Sequence, residues 1–478
     1  MRLLTITNLY PRPDQPQRGM YNAQLFEAIA AELAKGQAAR AKDGKISNVE
    51  CAISNSQLSP ESASQVSGFG FQVSYLLNVC LVPEWRVWRW PAIRKWKDAG
   101  RSTWAGGRAE GEISNSQCSS LNAQVNTQYV PVFYLPVIGR SVNSLFYEMN
   151  LRRVKEMFHK CDAVLATWLY PDAVAVARLA RECGKPVWIK VHGSDTFHLR
   201  FRLRRTAILD ACNYASGILP NCGFLAERLI EAGVDPAKVH VVPNGVDTQL
   251  FRYRSKEEAL KELSGSRINL QLSSENKIVL FVGNLVPIKG PDILLEAFAR
   301  MMSEMSNIES SIKYSALGTR HSTLLFIGAG PMRGQLERRA RHLGISDSVI
   351  FLGSRPHEEV ALWMNVADCL CVPSRSEGMP NVVVESLASG LPVVATDVGA
   401  CRELLADESA CIIVPTLKRD RADDQIEPDI AGLAAAMENR IVCPVVDRQD
   451  MALGHAARWS WTATAGSVVR LIRQMVAV

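Results

Sequence analysis

The chain has 478 residues, which is too long for one ordinary core, so two or three domains are expected. Its composition, 47% hydrophobic and 21% charged, is that of a soluble globular protein. The net charge of +6 is too weak to indicate nucleic acid, although it is compatible with an anionic ligand or a membrane surface. Twelve cysteines without a CxxC pair or a Cys/His cluster favour a reduced, cytoplasmic protein over a disulfide framework or zinc site.

The N-terminus predicts a strand rather than a signal peptide. Residues 2–8 form this strand, and a loop follows in which Arg12, Asp14, Arg18 and Gly19 can face a ligand. Helical periodicity begins directly after the loop. Doubly wound folds place ligand contacts in such a loop between the first strand and the first helix.

The stretch 36–128 is predicted to contain polar inserts with little stable structure, because it is rich in Ser, Asn and Gln and includes ISNSQ twice. Between the two copies, PEWRVWRWPAIRKWKDAGR alternates tryptophans with basic residues. This mixture suits a membrane interface or an anionic carbohydrate, and an ordinary helix and loop with extended basic side chains is the alternative. No apolar run reaches the roughly 18 residues that span a bilayer, so membrane contact would be peripheral. A further insert is expected at 303–321.

Strands and helices alternate after these inserts, in the pattern of a parallel sheet. Asn221 and Asn244 follow two of the strands and are turn residues by default, with a cleft-lining role as the alternative. A charged and polar stretch marks a domain boundary, after which a second alternating series begins. The predicted domains are residues 1–243 and 244–456, and a final helix is expected at 457–478.

A strand–turn–helix–strand unit at 372–397 has the sequence VPSRSEGMPNVVVESLASGLPVVATD. Glu377 lies in its turn and Glu385 in its helix. Such a unit presents backbone N–H groups at the carboxyl end of a parallel sheet, where an anion can dock on a helix N-terminus.

Five segments in this order resemble the retaining glycosyltransferases of family 4 (group 1), which have GT-B architecture. They are KVHGSD, VVPNGVD, VGNLVPIKG, FIGAGP and PSRSEGMPNVVVESLASGLPVVATDVGA. The resemblance covers residues 130–478 and, less closely, 1–34, and within the family it is to the exopolysaccharide and cell-wall polymer branch. It implies an α/β fold of two doubly wound, Rossmann-like domains facing a cleft. The acceptor-side domain is then 1–243, the nucleotide-sugar-binding domain is 244–456, and the helix at 457–478 returns to the first domain.

The resemblance also implies a hexosyltransferase that uses a nucleotide-sugar donor, UDP- or GDP-linked. Lys289 is then expected to stabilise the charge that develops on the departing diphosphate. The family commonly carries an arginine five residues before this lysine, where Asn284 stands here, so the phosphate site is less cationic than usual. Glu385 should accept hydrogen bonds from the ribose hydroxyls, and Glu377 should reach a hydroxyl of the donor sugar. The turn that holds the donor comprises Gly378, Met379, Pro380 and Asn381, of which the proline lacks an N–H and only shapes the turn.

By the same resemblance, His192 lies at the reacting sugar and is a catalytic candidate together with Glu377 and Lys289. Asp195 either orients His192 or faces the acceptor. Arg18 and Gly19 are expected near the phosphates or the acceptor.

The predicted reaction moves a sugar to a hydroxyl of a glycan or lipid-linked acceptor, in exopolysaccharide or cell-envelope polysaccharide synthesis at the inner membrane face. No metal or other cofactor is expected, since no Asp-x-Asp ends a strand. Retention is expected through a same-face mechanism assisted by the leaving phosphate rather than a covalent carboxylate intermediate. Two alternatives are a catalytically reduced glycan- or membrane-binding protein and an NAD-dependent dehydrogenase, the second weakened because FIGAGP lacks the third glycine.

Overall fold

The computed structural model describes residues 1–7, 20–42, 76–83, 126–133, 141–264, 276–311, 322–406, 410–417, 427–443 and 447–476. The chain divides into two compact units. The N-terminal unit comprises Met1–Asn221, Leu225–Asn244 and Trp461–Val478, and the C-terminal unit comprises Cys222–Phe224 and Gly245–Ser460.

The N-terminal unit contains a six-stranded sheet in which every neighbouring pair is parallel. Its strands are β1 (Leu3–Thr7), β2 (Leu76–Pro83), β3 (Asn126–Val132), β4 (Ala163–Thr167), β5 (Val187–Val191) and β6 (Gly217–Pro220). Their spatial order is β3-β2-β1-β4-β5-β6. The connecting helices are α1 (Met20–Lys42), α2 (Asn143–Leu151), α3 (Lys155–Lys160), α4 (Val174–Glu182), α5 (Arg202–Tyr214) and α6 (Gly223–Glu231).

The C-terminal unit repeats this arrangement with a second parallel sheet. Its strands are β7 (Lys277–Val282), β8 (Ser322–Ile327), β9 (Val349–Gly353), β10 (Cys369–Val372), β11 (Val393–Thr396) and β12 (Ile412–Val414), and a short antiparallel pair joins β13 (Thr416–Leu417) to β14 (Glu427–Pro428). The spatial order is β9-β8-β7-β10-β11-β12. The helices are α7 (Lys256–Ser264), α8 (Pro291–Ser311), α9 (Arg333–His342), α10 (His357–Val366), α11 (Asn381–Ala388), α12 (Cys401–Leu405), α13 (Ile430–Val442) and α14 (Arg448–Arg458).

Both faces of the N-terminal sheet are covered. Along β1, Leu4 and Ile6 enter one core while Leu3 enters the other, as the two-residue period of a strand requires. The second core is closed by the last helix, α15 (Trp461–Val476), whose buried side chains pack with those of α1. Among the described helices, none is both long and apolar enough to cross a membrane.

The two sheets have the same topology, since each reverses its winding direction beside its first strand. The reversal falls between β1 and β4 in the N-terminal unit and between β7 and β10 in the C-terminal unit. Doubly wound proteins bind ligands outside the carboxyl ends of the strands at such a reversal. The prediction of two doubly wound, Rossmann-like domains is therefore confirmed, and the loops after β7 and β10 carry Lys289 and Glu377.

The structure differs from the sequence-based expectations in three stretches. The predicted polar insert at 36–128 contains the end of α1, all of β2 and the start of β3. The sequence of β2, LLNVCLVP, is an ordinary apolar strand that lies between the two Ser-, Asn- and Gln-rich segments. In the predicted insert at 303–321, residues up to Ser311 continue α8, because no glycine or proline stops the helix after Met301.

The segment KVHVVPNGVD, predicted as a strand, extends alongside β6 without forming a full ladder. The N–H groups of His240 and Val242 donate to the carbonyls of Ile218 and Pro220, and only Val239 forms a bridge with Ile218. Pro243 has no N–H to donate, so regular pairing ends there.

Candidate functional site

Lys289 and Glu377 form an ion pair at the carboxyl end of the C-terminal sheet. The Lys289 Nζ lies 2.7 Å and 2.8 Å from the two carboxylate oxygens of Glu377, and the Ser374 Oγ donates to Oε1 over 2.7 Å. The carboxylate side chain is only 8% exposed, whereas that of the lysine is 34% exposed. A buried carboxylate is costly without partners, so these donors hold Glu377 in one orientation. Ser374 was not predicted, although it stands within the same PSRSEG motif.

A tight turn brings Lys289 to Glu377. Residues Pro287–Lys289 form one 3₁₀ turn, and Gly290 ends it in the left-handed region with φ 66°. A Cβ on Gly290 would lie 2.0 Å from the Pro373 carbonyl oxygen, so only glycine lets the loop after β7 pack on the loop after β10.

A second ion pair braces the same two loops. The Arg375 guanidinium donates to both carboxylate oxygens of Asp292, over 3.0 Å and 2.7 Å, and to the Pro287 carbonyl over 2.6 Å. The Arg375 N–H also donates to the Ile288 carbonyl. Arg375 is therefore held by the loop that carries Lys289 and by the first turn of α8. Its charge does not replace that of the arginine expected at the position of Asn284. Sequence reasoning missed this pair, since Arg375 and Asp292 lie 83 residues apart.

The turn after Glu377 leads directly into α11. The Gly378 carbonyl accepts from the Ala400 N–H, and Gly399, with φ 56°, approaches so closely that a Cβ would lie 2.4 Å from the Glu377 carbonyl oxygen. Pro380 occupies the N-cap position of α11, Met379 is buried, and Asn381 begins the helix. The predicted donor turn, residues 378–381, is thus short, is held by contacts with residues 399 and 400, and leads into the N-terminus of α11. Backbone N–H groups at a helix N-terminus favour an anion.

The remaining predicted residues of this unit have contrasting environments. Glu385 lies on α11 and is half-buried; removal from water raises the pKa of its carboxyl, and nearby His357 partly offsets this. Asn284, which follows β7, is exposed. The sequence-predicted residues Lys289 and Glu377 are therefore in contact, while Glu385 lies further along α11.

In the N-terminal unit, His192 follows β5 and is 6% exposed. Its ring lies edge-on to Tyr21 at 4.9 Å between centroids and tilted toward Trp168 at 6.0 Å. The Nε2 atom has no hydrogen-bond partner among the described residues. Burial and, to a smaller extent, the charge of nearby Lys190 together lower the pKa of His192 to about 3, so the imidazole is neutral at physiological pH.

Asp195 holds the backbone around His192. Its carboxylate accepts from the His192 N–H over 3.0 Å and 3.1 Å and from the Leu169 N–H over 3.2 Å. Burial raises the pKa of Asp195 to about 7, against the lowering effect of these donors. Of the two predicted roles, these contacts match the one in which Asp195 orients the His192 segment.

Buried polar groups lie at the winding reversal of the N-terminal sheet and beyond its edge strand β6. Asn22, on α1, donates from Nδ2 to the Thr7 and Thr167 hydroxyls over 3.2 Å and 3.3 Å. Asn221 and Asn244 are also buried. The loop candidates Arg12, Asp14, Arg18 and Gly19, together with the tryptophan- and arginine-rich stretch, lie outside the described residues.

Two family models match the chain. Residues 266–428 match "Glycosyl transferases group 1", and residues 105–250 match "Glycosyltransferase Family 4". The fold and these matches define the class, and the chain belongs to the glycosyltransferases of GT-B type. The predicted recognition of family 4, group 1, is confirmed.

Curated relatives at about one-third identity are glycosyltransferases by name. A D-inositol 3-phosphate glycosyltransferase from Segniliparus rotundus is 33% identical over 52% of this chain and 51% of its own length. The D-inositol 3-phosphate glycosyltransferase 2 of Catenulispora acidiphila is 32% identical over 53% of this chain and 55% of its own length. The chain therefore spans about half the length of the curated relatives it matches.

Solved structures with the same fold cover the whole chain at low identity. HepE from Anabaena in complex with UDP superposes with a TM-score of 0.64 at 15% identity, over 99% of this chain and 100% of that one. Sucrose-phosphate synthase from Thermosynechococcus elongatus gives a TM-score of 0.65 at 15% identity, with full coverage of both chains.

The dehydrogenase alternative does not fit this family, and FIGAGP has a packing role. Cβ atoms on Gly328 and Gly330 would lie 1.9 Å and 2.3 Å from the carbonyl oxygens of Gly283 and Leu285. These glycines therefore let the loops after β7 and β8 touch.

Proposed function

We propose that the chain transfers a hexose from a nucleoside-diphosphate sugar to a hydroxyl of a glycan or lipid-linked acceptor, with retention of anomeric configuration. The observation that carries the proposal is the Lys289–Glu377 ion pair at the winding reversal of the C-terminal sheet, beside the N-terminus of α11. A diphosphate bound there would meet one cation and the N–H groups of a helix N-terminus.

Lys289 is assigned to the departing diphosphate and Glu377 to a hydroxyl of the donor sugar. Without ligand, the Lys289 ammonium group and the Glu377 carboxylate neutralise each other's charge. This ion pair keeps both side chains in place before the donor binds. When the diphosphate recruits the ammonium group, the Glu377 carboxylate becomes available to accept from a sugar hydroxyl. Charge stabilisation of a leaving group by a preorganised cation is a large term in transfer reactions of this kind.

Glu385 is assigned to the ribose hydroxyls of the donor. Two adjacent hydroxyls can donate to the two oxygens of one carboxylate. In the N-terminal unit, His192 is assigned to a hydroxyl of the reacting sugar, because its neutral ring offers an Nε2 atom with no partner among the described residues. No metal ion has a role in the proposal.

Retention is proposed to proceed on one face of the sugar, with the leaving phosphate assisting the acceptor hydroxyl. A covalent route would need Glu377 as the nucleophile. In the donor complex one of its oxygens still accepts from Ser374, and the carboxylate is assigned to a sugar hydroxyl rather than to the anomeric carbon. A glycosyl adduct on Glu377, trapped by rapid quenching and located by mass spectrometry, would overturn this part of the proposal.

The names of similar proteins bear on donor and acceptor. HepE was solved with UDP and with UDP-glucose, which supports a uridine donor as the first to test. WaaB, named as a lipopolysaccharide outer core galactosyltransferase, has the same fold and supports a cell-envelope acceptor. The D-inositol 3-phosphate named in the curated relatives makes a small phosphorylated acceptor the competing class. We propose an exopolysaccharide or cell-envelope role at the cytoplasmic membrane face.

The test is a panel of UDP- and GDP-sugars scored by release of the nucleoside diphosphate, with and without EDTA. One donor should be consumed, and EDTA should not change the rate. Glu385→Ala should abolish the thermal stabilisation that this donor confers, whereas Glu337→Ala, a surface carboxylate on α9, should retain it. Stabilisation by a donor without turnover under any acceptor would favour the catalytically reduced binding protein.

A further inference from the structure

An exposed surface of the N-terminal unit combines large apolar side chains with arginines. We call it the basic apolar face and define it as residues 197–205 together with Val142, Leu145 and Met149. Thirteen large apolar side chains are exposed among the described residues, and six of them belong to this face: Val142, Leu145, Met149, Phe197, Phe201 and Leu203. Leu203 is 74% exposed and Met149 is 64% exposed, so both project outward rather than lining a groove.

Arginines alternate with these apolar side chains and stack on them. The Arg200 guanidinium lies 5.5 Å from the Phe197 ring centroid, and that of Arg204 lies 4.3 Å from the Phe201 centroid. The two phenylalanine rings meet edge-on at 5.4 Å. These contacts fix the aromatic rings at the surface.

Arg204 joins the two parts of the face. It is buried, and its Nε lies 3.3 Å from the Ser141 Oγ, immediately before Val142. The start of α5 and the start of α2 are therefore adjacent. Along α2, the spacing of Val142, Leu145 and Met149 puts their side chains on one exposed side of the helix.

The charged side chains of the segment 197–205 have one sign, and Glu148, next to Met149 on α2, is paired with Arg152 and Arg178. Residues 196–209 contain four arginines and no aspartate or glutamate. The arginine-rich helix α9 is a contrast, because Arg333 pairs with Glu337 and Arg339 with Glu296, and none of the exposed large apolar side chains lies on it. Positive charge interleaved with several outward apolar groups is thus a feature of the basic apolar face that α9 does not share.

We propose that the basic apolar face binds the surface of a bilayer containing anionic lipid. Guanidinium groups would meet phosphate headgroups, while Phe197, Leu203 and Met149 would enter the boundary with the acyl chains. Charge complementarity selects an anionic partner, and the outward projection of the apolar side chains suits a deformable lipid surface better than a preformed protein groove. The assignment is independent of the proposed sugar transfer, which concerns other residues.

The test is co-sedimentation of the full chain with vesicles of phosphatidylcholine, with or without phosphatidylglycerol. Binding should require phosphatidylglycerol and weaken with salt. Arg200→Gln/Arg202→Gln and, separately, Leu203→Ser/Met149→Ser should each weaken it about tenfold or more. The matched controls Arg338→Gln/Arg341→Gln and Val442→Ser/Leu453→Ser should bind as the unaltered chain does.

Two results would overturn the proposal. One is failure of the unaltered chain to bind anionic vesicles, and the other is unchanged binding by both face variants. Circular dichroism and nucleoside-diphosphate release without vesicles check that each variant is folded. Because these measurements do not involve lipid, a failure of sugar transfer would be seen separately from a failure of membrane binding.

Discussion

Lys289 and Glu377 depend on each other because the carboxylate is nearly buried while the ammonium group reaches solvent. Removing Lys289 leaves Glu377 with Ser374 as its remaining side-chain donor. Removing both charges eliminates the unpaired carboxylate as well as the cation. Stability and activity should therefore respond differently to single and double substitutions.

Lys289→Ala should lower kcat/KM about 10²–10³-fold, since the leaving diphosphate loses its cation. It should also lower the free energy of unfolding by about 1–2 kcal/mol, a modest value because the lysine is partly exposed. In Lys289→Ala/Glu377→Ala, part of the stability should return while activity stays low. Steady-state kinetics and urea unfolding measure both; full activity of Lys289→Ala would contradict the assignment.

His192 and Asp195 should make opposite contributions to the pH dependence of stability. The folded-state pKa of His192, about 3, is below its ordinary 6.5, so the stability it contributes is lost as pH falls from 6.5 to 3. The folded-state pKa of Asp195, about 7, is above its ordinary 3.8, so the stability it contributes is lost as pH rises from 3.8 to 7. Between about pH 4 and 6.5 the two effects nearly cancel.

Single substitutions should reveal each effect. For Asp195→Asn, the free energy of unfolding should rise with pH in this window, relative to the unaltered chain, by up to about 1.4 kcal/mol per pH unit. For His192→Asn it should fall with pH by a similar amount. Urea unfolding at several pH values measures both slopes, and the double variant should resemble the unaltered chain. Slopes of the same sign in the two single variants would contradict these pKa shifts.

At the scale of elements, the loops after β7 and β10 form one structure because glycine permits their contact. Gly290→Ala should cost about 2–4 kcal/mol, since it combines a left-handed backbone with a Cβ placed against the Pro373 carbonyl. Gly344→Ala is the control, because Gly344 has φ 72° but no atom within 4 Å of its added Cβ. It should cost only about 1 kcal/mol. Equal losses, measured by urea unfolding, would show that loop contact contributes nothing.

Strands and helices were predictable from sequence where the hydrophobic period and the turn residues of a short stretch were clear. The strand–turn–helix–strand unit around Glu377 follows from an apolar run, a Gly/Pro turn and a helical period, and the structure has β10, α11 and β11 there. The strand β2 was missed because it lies between the two Ser-, Asn- and Gln-rich segments of the predicted insert, and its identity depends on pairing with β1 and β3. A partner strand that is distant in sequence supplies no local signal.

At the scale of the whole molecule, the last helix belongs to the core of the first unit. Ile472, on α15, is fully buried in the cluster that includes Phe26 and Ile29 of α1. The chain thus returns to its N-terminal unit after completing the C-terminal one. Loss of packing on α15 should therefore weaken the N-terminal unit alone.

Ile472→Ala should cost about 2–4 kcal/mol through lost burial and the cavity that remains. Met475→Ala, at a 54% exposed position on the same helix, should change stability by no more than about 0.5 kcal/mol. Hydrogen exchange should show reduced protection in β4 and β5 for Ile472→Ala, with β7 and β8 unaltered. Equal loss of protection in both sheets would contradict the assignment of α15 to the N-terminal unit.

The alternation of strands and helices, the two-domain plan and the Glu377–Glu385 motif could all be read from the sequence alone. Each depends on hydrophobic period, turn residues and spacing over a few positions, which are local properties. The tertiary structure alone decided that Lys289 contacts Glu377 across 88 residues and that Arg375 braces the turn. It also decided that the His192 ring is neutral and the Asp195 pKa raised, because burial depends on what the fold packs around a side chain. Parallel pairing of distant strands creates these neighbours, and no short stretch of sequence encodes them.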